Sequence, residues 1–256
     1  MTDNARQRVA GVILTLNEAR HINACIESLT WTDEVVVLDS HSSDATQPLA
    51  RDAGATVMTH PFDNYAQQRN VALERIDADW ILFVDADERA TPDLEREVRE
   101  VVATQPERGW WIPRHNYIFG HRMRATGWYP DYQMRLLYRE AAHYDPDRHV
   151  HELVVLDGPE GYLSSPLIHY NYETLRQFIE KQRRYLAYDV KILQDSGIQP
   201  GIHTPYTQGL RHFWWRFVTL KGWQDTVWGV LLSSLMAYYE MRKYMKLRGN
   251  LGRPSD

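Results

Sequence analysis

The chain has 256 residues, with 29 Lys and Arg against 34 Asp and Glu, a formal net charge of −5. This length accommodates one large α/β domain with an appendage, and the acidic balance excludes general nucleic-acid binding across the whole surface. The single cysteine, Cys25, excludes an intrachain disulfide and a cysteine-based zinc site. The polar start of the chain predicts no secretory signal, and no apolar run approaches the roughly 20 residues that span a bilayer, so we expect a cytoplasmic protein.

Residues 9–103 alternate between strand-like and helix-like segments. The strand-like runs are short, apolar and rich in β-branched residues, which is typical of strands that are buried on both faces. Thr91 is a predicted N-cap in front of Pro92. The predicted strands are 9–15, 34–38, 56–59 and 80–84, and the predicted helices are 18–29, 45–53, 65–74 and 92–102. This alternation predicts a parallel, doubly wound sheet that binds its ligand beyond the carboxyl ends of the strands.

The rest of the chain has a different character. Residues 109–170 are aromatic and interrupted by Pro and Gly, with strand-like pieces at 109–114, 133–138 and 153–156. Helical patterns follow from residue 173 to about 194 and from about 208 to 248. We therefore predict an α/β domain over residues 1–170, with halves 9–103 and 104–170, and a helical extension over residues 171–256.

The strongest local motif is a pair of carboxylates, Asp85 and Asp87, directly after the apolar strand that begins at Trp80. Hard divalent cations prefer carboxylate oxygens and bridge to diphosphates, so the pair predicts a site for Mn²⁺ or Mg²⁺. Such a motif is short, and alone it also fits a solvated turn that opens the next helix. The polar ends of two other predicted strands favour the metal site.

Those other strand ends carry Thr15, Asn17 and Glu18 in one case and Asp39 in the other. Polar groups at this edge can contact a nucleotide, and a carboxylate there can accept hydrogen bonds from a base or ribose. Simple helix capping is the competing interpretation for Asn17, and it is equally suited to Ser43 and Asp44. Arg69 lies on a helical segment and could reach a phosphate.

No glycine-rich phosphate loop is present in the sequence, which disfavours hydride-transfer enzymes, P-loop enzymes and nucleotidyltransferases.

These blocks, in this order and spacing, resemble family 2 glycosyltransferases of the GT-A fold, a Rossmann-like, mostly parallel sheet. The matching segments are 12–18, 35–46, 68–70 and 79–88. The resemblance implies that 1–170 is a catalytic domain with a nucleotide-binding half and an acceptor-binding half. It also implies that Asp39 holds a uracil and that Asp85 and Asp87 carry a metal–diphosphate group.

The second half resembles a narrower branch, the lipopolysaccharide inner-core β-1,4-glucosyltransferases, in segments 127–136, 150–152 and 168–170. An inverting transfer needs a general base separate from the metal carboxylates, and we predict Asp131 for that role. Trp128 and Tyr129 could stack on an acceptor sugar. Arg135 could pair with a phosphate or hold Asp131. The family pattern makes His151 a candidate metal ligand, whereas His169 is expected to serve packing.

The tail from residue 203 to 256 has eight Lys and Arg and three Asp and Glu, a local net charge of +5. Trp residues mixed with cations are typical of interfacial helices at anionic lipid. A helical hairpin packed on the catalytic domain, or a dimer contact, remains an alternative. The residues that favour the membrane are Trp214, Trp215, Trp223, Trp228, Arg211, Arg216, Lys221, Arg242, Lys243 and Lys246.

The sequence thus predicts an inverting, metal-dependent transfer of a hexose, glucose by resemblance, from a UDP-sugar to a saccharide or lipid-linked saccharide. We expect it at the inner face of the cytoplasmic membrane, in lipopolysaccharide core biosynthesis. Sugar transfer to a polyprenyl phosphate, and a nucleotide- or carbohydrate-binding protein without turnover, are the alternatives.

Overall fold

The computed structural model describes residues 6–145 and 154–250. Within it the chain forms two compact units. Unit 1 comprises residues up to Arg114 together with Tyr132–His169, and unit 2 comprises His115–Asp131 together with the residues from Tyr170 onward.

Strands dominate the first two thirds of the described chain, and helices dominate the rest. In chain order the elements are β1 (Val9–Thr15), α1 (Ile22–Glu27), β2 (Glu34–Asp39), α2 (Thr46–Asp52), β3 (Thr56–Thr59), α3 (Tyr65–Arg75), β4 (Trp80–Asp85), β5 (Glu88–Ala90), α4 (Pro92–Thr104), β6 (Gly109–Ile118), β7 (His121–Arg122), β8 (Tyr132–Tyr138), β9 (Ala142–Tyr144), β10 (Val154–Leu156), β11 (Glu160–Tyr162), β12 (Leu167–Tyr172), α5 (Leu175–Asp195), α6 (Thr204–Trp214) and α7 (Thr226–Asn250).

The core of unit 1 is the predicted parallel sheet. Strands β3, β2, β1 and β4 lie side by side in that order, and every pair among them is parallel. Alternate residues of β1 face opposite sides: Ile13 packs among residues of α1, α2 and α4, whereas Val12 packs among residues of α3. Helices on both faces explain why β1 and β4 are apolar along almost their whole length. The predicted α/β fold with C-terminal helices is confirmed.

The sheet continues beyond β4 in a different direction. Strand β8 is antiparallel to both β4 and β6, and β5 is antiparallel to β12. These antiparallel strands include the aromatic, strand-like segments that the sequence shows at 109–114 and 133–138. The full strand order of the sheet is β3-β2-β1-β4-β8-β6-β12-β5.

Unit 2 gathers the helices around a second apolar cluster. Its fully or almost fully buried members are Ile118, Met123, Tyr172, Phe178 and Leu232. The predicted boundary at 170/171 falls one residue after the observed division, but residues 115–131 group with the helical extension rather than with the α/β domain. Buried polar bonds explain this, because Asp225 accepts from the backbone N–H groups of Arg124 and Ala125.

Two helices differ from the prediction. Helix α1 begins at Ile22 rather than at residue 18, and the N–H groups of Glu18 and Ala19 donate to Thr46 Oγ1 and Asp44 Oδ2. The predicted helix over 208–248 is interrupted by a π-helical turn at Trp215–Thr219 and a 3₁₀ turn at Gly222–Asp225. Lys221, with φ of 53°, separates the two turns. Across the described residues, no helix has the length and apolar character needed to cross a bilayer.

Candidate active site

Three parallel strands end at the same level of unit 1. Thr15 of β1 is in register with Asp39 of β2, and Leu14 is in register with Asp85 of β4. Strand register therefore brings the predicted site residues Thr15, Asp39 and Asp85 to one edge of the sheet. The sequence predicts this placement because the carboxyl ends of parallel strands lie at the same end of a sheet.

Asp39 is completely buried at this edge, and both of its oxygens are hydrogen-bonded. Oδ1 accepts from the Ser42 N–H at 2.8 Å and from Gln47 Nε2 at 2.7 Å. Oδ2 accepts from Thr15 Oγ1 at 3.0 Å and from the Ser42 hydroxyl. Asp39 therefore organises the turn after β2 in this state, and its recognition of a base stays a prediction.

The loops after β1 and β2 are cross-linked. Asn17 Oδ1 accepts from the Ser43 N–H at 2.8 Å, and the Asn17 N–H donates to Ser42 Oγ at 2.8 Å. Asn17 therefore does not cap α1, whose N-cap residue is His21 and has no side-chain cap hydrogen bond. Asp44 does serve as a cap-like acceptor, because its Oδ1 accepts from the Thr46 N–H at 2.9 Å. These bonds hold Asn17 in a left-handed conformation with φ of 58°.

A buried ion network lies behind the end of β4. Arg135 donates to both oxygens of Asp85 and to Glu88 Oε1 at 3.2 Å, and Arg114 reaches the same Glu88 oxygen at 3.1 Å. Glu88 is fully buried, and its other oxygen accepts from the Asp85 N–H at 3.0 Å. Burial by itself raises the pKa of Asp85, but the Arg135 guanidinium outweighs this and holds that pKa below its usual value.

The network explains the position of Arg135, which the sequence left open between a phosphate and Asp131. In the structure Arg135 binds Asp85 and Glu88, and its Nε atom is buried without a hydrogen-bond partner among the described residues. Glu88 and Arg114 are essential members that the sequence did not single out. Their role is visible only once the strands are paired. In the sequence, Glu88 directly follows the carboxylate pair and looks like part of a turn.

Asp87, the second carboxylate, contacts His169. His169 Nε2 lies 3.4 Å from Asp87 Oδ2, and the imidazole is almost fully buried. The antiparallel register of β12 with β5 pairs His169 with Glu88, which aligns the imidazole with the carboxylate motif. His169 is thus packed in the interior, as the sequence predicts, and it also contacts a carboxylate, which the sequence analysis did not anticipate. His151, the predicted metal ligand, lies outside the described residues.

The pKa of Glu18 depends on burial and on the carboxylates at this edge of the sheet. Burial, followed by the negative charges of Asp87, Asp44 and Asp85, raises the pKa of Glu18 to about 7. The carboxylates around Glu18 are the oxygen ligands that a divalent cation prefers. Among residues 6–145 and 154–250 no group of three or more His, Cys, Asp or Glu side chains forms a cage for a metal. A cation held by one or two carboxylates together with a diphosphate, the usual mode for Mg²⁺, needs no such cage.

Arg69 lies within reach of the same edge. Its guanidinium carbon lies 5.4 Å from the centroid of the Tyr144 ring and 6.0 Å from that of Phe83, and its charge contributes to lowering the pKa of Asp85. The neighbouring Asn70 has a structural role, because its amide makes two hydrogen bonds to the backbone of Tyr144, at 2.7 and 2.8 Å. The helix thus fixes Arg69 next to the carboxylates.

The remaining predicted residues belong to unit 2. Asp131 accepts from Asn116 Nδ2 at 2.9 Å, and the same amide donates to the carbonyl oxygen of Trp128 at 2.8 Å. The Trp128 ring packs on the apolar cluster of unit 2, edge-on to Tyr172. Tyr129 is exposed and lies next to His115. Asn116 is a buried polar residue that sequence analysis missed, since an isolated Asn in a strand carries no signal.

Comparison with known proteins identifies the family to which the chain belongs. The Glycosyl transferase family 2 profile matches residues 12–150, more than half of the chain. The chain belongs to glycosyltransferase family 2. The profile covers the three strand ends described above, so the carboxylates at 85 and 87 lie within the part of the chain that defines it as a sugar-transferring enzyme.

Individual relatives of this family 2 glycosyltransferase match along nearly its whole length. The lipopolysaccharide core biosynthesis glycosyltransferase LpsC of Rhizobium meliloti is 30% identical over 95% of this chain and 96% of its own. An uncharacterised glycosyltransferase of Rickettsia bellii is 26% identical over 97% of this chain and 88% of its own. Among solved structures, glucosyl-3-phosphoglycerate synthase of Mycobacterium tuberculosis, crystallised with Mn²⁺ and UDP, has a TM-score of 0.47 at 18% identity, covering 77% of this chain and 83% of that one.

Proposed function

We propose that this family 2 glycosyltransferase transfers a hexose, glucose by resemblance, from a UDP-sugar to a sugar hydroxyl, with inversion, in lipopolysaccharide core biosynthesis. One observation carries the proposal: strand register gathers Thr15, Asp39 and Asp85 at one edge, beside a second carboxylate, Asp87. The full-length similarity to LpsC, a lipopolysaccharide core biosynthesis glycosyltransferase, supports the acceptor class.

The donor is proposed to lie across the cross-linked loops. Thr15, Asn17, Glu18 and Asp39 would contact the nucleoside, and the cations Arg69 and Arg135 would balance the phosphates. For Asp39 to accept a hydrogen bond from a base, one of its four present donors has to be displaced, because a carboxylate has only about four lone pairs. Gln47 is the donor best suited to displacement, because its side chain extends from α2 and makes one hydrogen bond to Asp39, at 2.7 Å. Arg135 keeps Asp85 ionised and oriented in either case.

We assign the cation to Asp87 in the first place, with Asp85 and His151 as further ligands. Arg135 binds both oxygens of Asp85, so a cation that coordinates Asp85 directly has to share this carboxylate with Arg135. His169 holds Asp87 from the buried side. A bound Mn²⁺ or Mg²⁺ would supply charge neutralisation for the leaving diphosphate.

Asp131 is proposed as the general base for the acceptor hydroxyl, with Trp128 and Tyr129 contacting the acceptor sugar. The argument is the chemical one from the sequence: inversion needs a carboxylate that is separate from the metal ligands. The base takes the hydroxyl proton as the oxygen attacks the anomeric carbon and the UDP leaves.

UDP release tests the donor and the acceptor together. The full chain is incubated with Mn²⁺ and a panel of UDP-sugars, without an acceptor, with deacylated lipopolysaccharide core, or with a polyprenyl phosphate. We expect acceptor-dependent release of UDP from UDP-glucose, and a loss of this release in Asp87→Ala. Release that requires a polyprenyl phosphate instead would establish the alternative acceptor. Binding of UDP without release in any combination would contradict a transferase.

A peripheral location at the inner face of the cytoplasmic membrane is the second part of the proposal. Tyr206, Leu210 and Trp214 recur every four positions along α6, and Ile202 precedes the helix at the same spacing. All four are exposed, Leu210 by 72%. An exposed apolar stripe of this kind is typical of an interaction surface. A bilayer with anionic headgroups is the occupant we propose, because the exposed cations Arg211 and Lys221 lie on the same segment.

The structure refines which tail residues can serve that surface. Trp214, Trp215 and Trp223 are exposed, whereas Trp228 stacks on His121 with ring centroids 5.5 Å apart. Arg216 is turned inward, where it donates to the carbonyl oxygen of Thr126 at 2.7 Å, and burial lowers its pKa to about 10. Lys243 pairs with Glu240 at 2.7 Å.

Liposome sedimentation tests this surface with a matched control. Leu210→Glu should reduce sedimentation with anionic vesicles at low salt, because each charge in the interface opposes burial of the stripe. Leu175→Glu makes the same change at a residue that is 51% exposed on α5, and it should leave sedimentation unchanged. A wild-type chain that ignores the vesicles, or equal effects of both substitutions, would show that α6 serves packing or self-association.

A further inference from the structure

A line of hydrogen-bonded side chains within unit 2 begins at Asp131. Asn116 is completely buried, and its Nδ2 donates one hydrogen to Asp131 Oδ2 at 2.9 Å and the other to the Trp128 carbonyl oxygen at 2.8 Å. One amide therefore ties the proposed base to the backbone of the segment that carries it.

The line continues on the other side of the amide. Asn171 Nδ2 donates to Asn116 Oδ1 at 3.2 Å, and Lys181 Nζ donates to Asn171 Oδ1 at 3.3 Å. Lys181 also lies 4.9 Å from the centroid of the Tyr172 ring. Residues from α5, β12 and β6 thus form a line of hydrogen bonds that ends at Asp131.

The chemistry of the two ends fixes the direction of every bond between them. An ammonium group only donates and an ionised carboxylate only accepts, so each amide must turn its oxygen toward Lys181 and its nitrogen toward Asp131. Two amides with a single allowed orientation hold a carboxylate more firmly than a solvated side chain is held. Asn116 does so as a neutral donor and brings no cation of its own into contact with Asp131.

We propose that Asn116 is the positioning residue of the general base, and that Asn171 and Lys181 hold Asn116 in its orientation. The inference rests on the proposed role of Asp131. A base must lie within hydrogen-bond reach of the proton that it removes, and misplacement by about 1 Å is enough to cost a large factor in rate. Removing the Asn116 amide should therefore lower kcat and leave donor binding unchanged.

A double-mutant cycle tests this by separating positioning from general stability. Asn116→Leu has similar volume but no hydrogen bonds, and we expect kcat to fall by about 10- to 100-fold with an unchanged Kd for UDP. Asp131→Asn should lower kcat by about 100-fold or more. In the Asp131→Asn background, Asn116→Leu should cause less than about a further 2-fold loss, because residues that act as a unit are not additive.

Gln182 provides the matched control. It is another buried amide of unit 2, and its Nε2 donates to Tyr172 Oη at 3.2 Å rather than to Asp131. Gln182→Met should leave kcat close to the wild-type value in both backgrounds.

Multiplicative losses from Asn116→Leu and Asp131→Asn would overturn the proposal, since Asn116 would then act independently of the base. Should Asn116→Leu fail to fold, Asn171→Leu breaks the next bond of the line. It should give a smaller kcat loss that again disappears in the Asp131→Asn background, and no loss would equally overturn the proposal. Full activity of Asp131→Asn would remove the base assignment while leaving UDP-dependent transfer by the wild type intact.

Discussion

At the scale of single residues, the charge of Glu18 depends first on its burial and then on the carboxylates around it. Its pKa is raised to about 7 from 4.5, so the folded chain holds a proton that the unfolded chain releases between these values. Stability is therefore lost as the pH rises through this window. Glu18→Gln removes the repulsion. After a discount for the partial exposure of this side chain to solvent, it should raise the free energy of unfolding by about 1–3 kcal/mol at pH 8 but not at pH 4.

Urea denaturation of both proteins at the two pH values measures this difference. Glu27→Gln, at an exposed position of α1, controls for the loss of one carboxylate. If the Glu18→Gln advantage does not change with pH, then burial and the carboxylates at 44, 85 and 87 do not raise the pKa of Glu18.

Glu88 is the second residue-scale case, because its buried carboxylate joins Arg114 and Arg135. Breaking a buried ion pair leaves uncompensated charge, so Glu88→Gln should lower the free energy of unfolding by about 3–5 kcal/mol. Glu95→Gln breaks the surface pair with Arg99, and it should cost less than about 0.5 kcal/mol. Chemical denaturation compares the two, and equal small losses would show that the network is not held by charge.

At the scale of elements, the packing of α7 depends on a close backbone approach. A Cβ at Gly229 would collide with the carbonyl oxygen of Gly222, whereas a Cβ at Gly249, also on α7, would meet nothing within 4 Å. Gly229→Ala should therefore lower stability by about 1–3 kcal/mol, although alanine is the better helix former. Gly249→Ala should leave stability unchanged or raise it by up to about 1 kcal/mol.

Thermal unfolding of the two variants checks this contrast. A stabilising Gly229→Ala would mean that the turn at Gly222–Asp225 moves away from α7 at little cost. The same turn carries Asp225, which bonds to the segment at 124–126, so its movement would also loosen the residues that precede Trp128.

At the scale of the whole molecule, donor binding should appear as global stabilisation. A ligand that binds only the folded chain at 100 times its Kd adds about 2.7 kcal/mol, which corresponds to several degrees in the unfolding midpoint at this size. We expect this shift with UDP and Mn²⁺ together, a much smaller shift with UDP and a chelator, and none with GDP. Asp87→Asn should lose the metal-dependent part of the shift, measured against its own midpoint without ligand. An equal shift with and without chelator would contradict the metal assignment.

The alternation of apolar strands and amphipathic helices is by itself sufficient to determine the parallel sheet, because period and burial are local properties of the sequence. Asp39, Asp85 and Thr15 could be placed at one edge for the same reason: each directly follows, or ends, a parallel strand. The motif order was also sufficient to indicate the family, which the profile match then confirmed.

Only the tertiary structure decided which side chains those carboxylates meet. Arg135 lies 50 residues from Asp85 in sequence, and His169 reaches Asp87 through the antiparallel register of β12 with β5. Asn116 donates a hydrogen bond to Asp131, which lies 15 residues further along the chain. Sequence patterns report which way a residue faces within its own element, whereas partners contributed by distant elements depend on strand register and on which bonds satisfy buried polar groups.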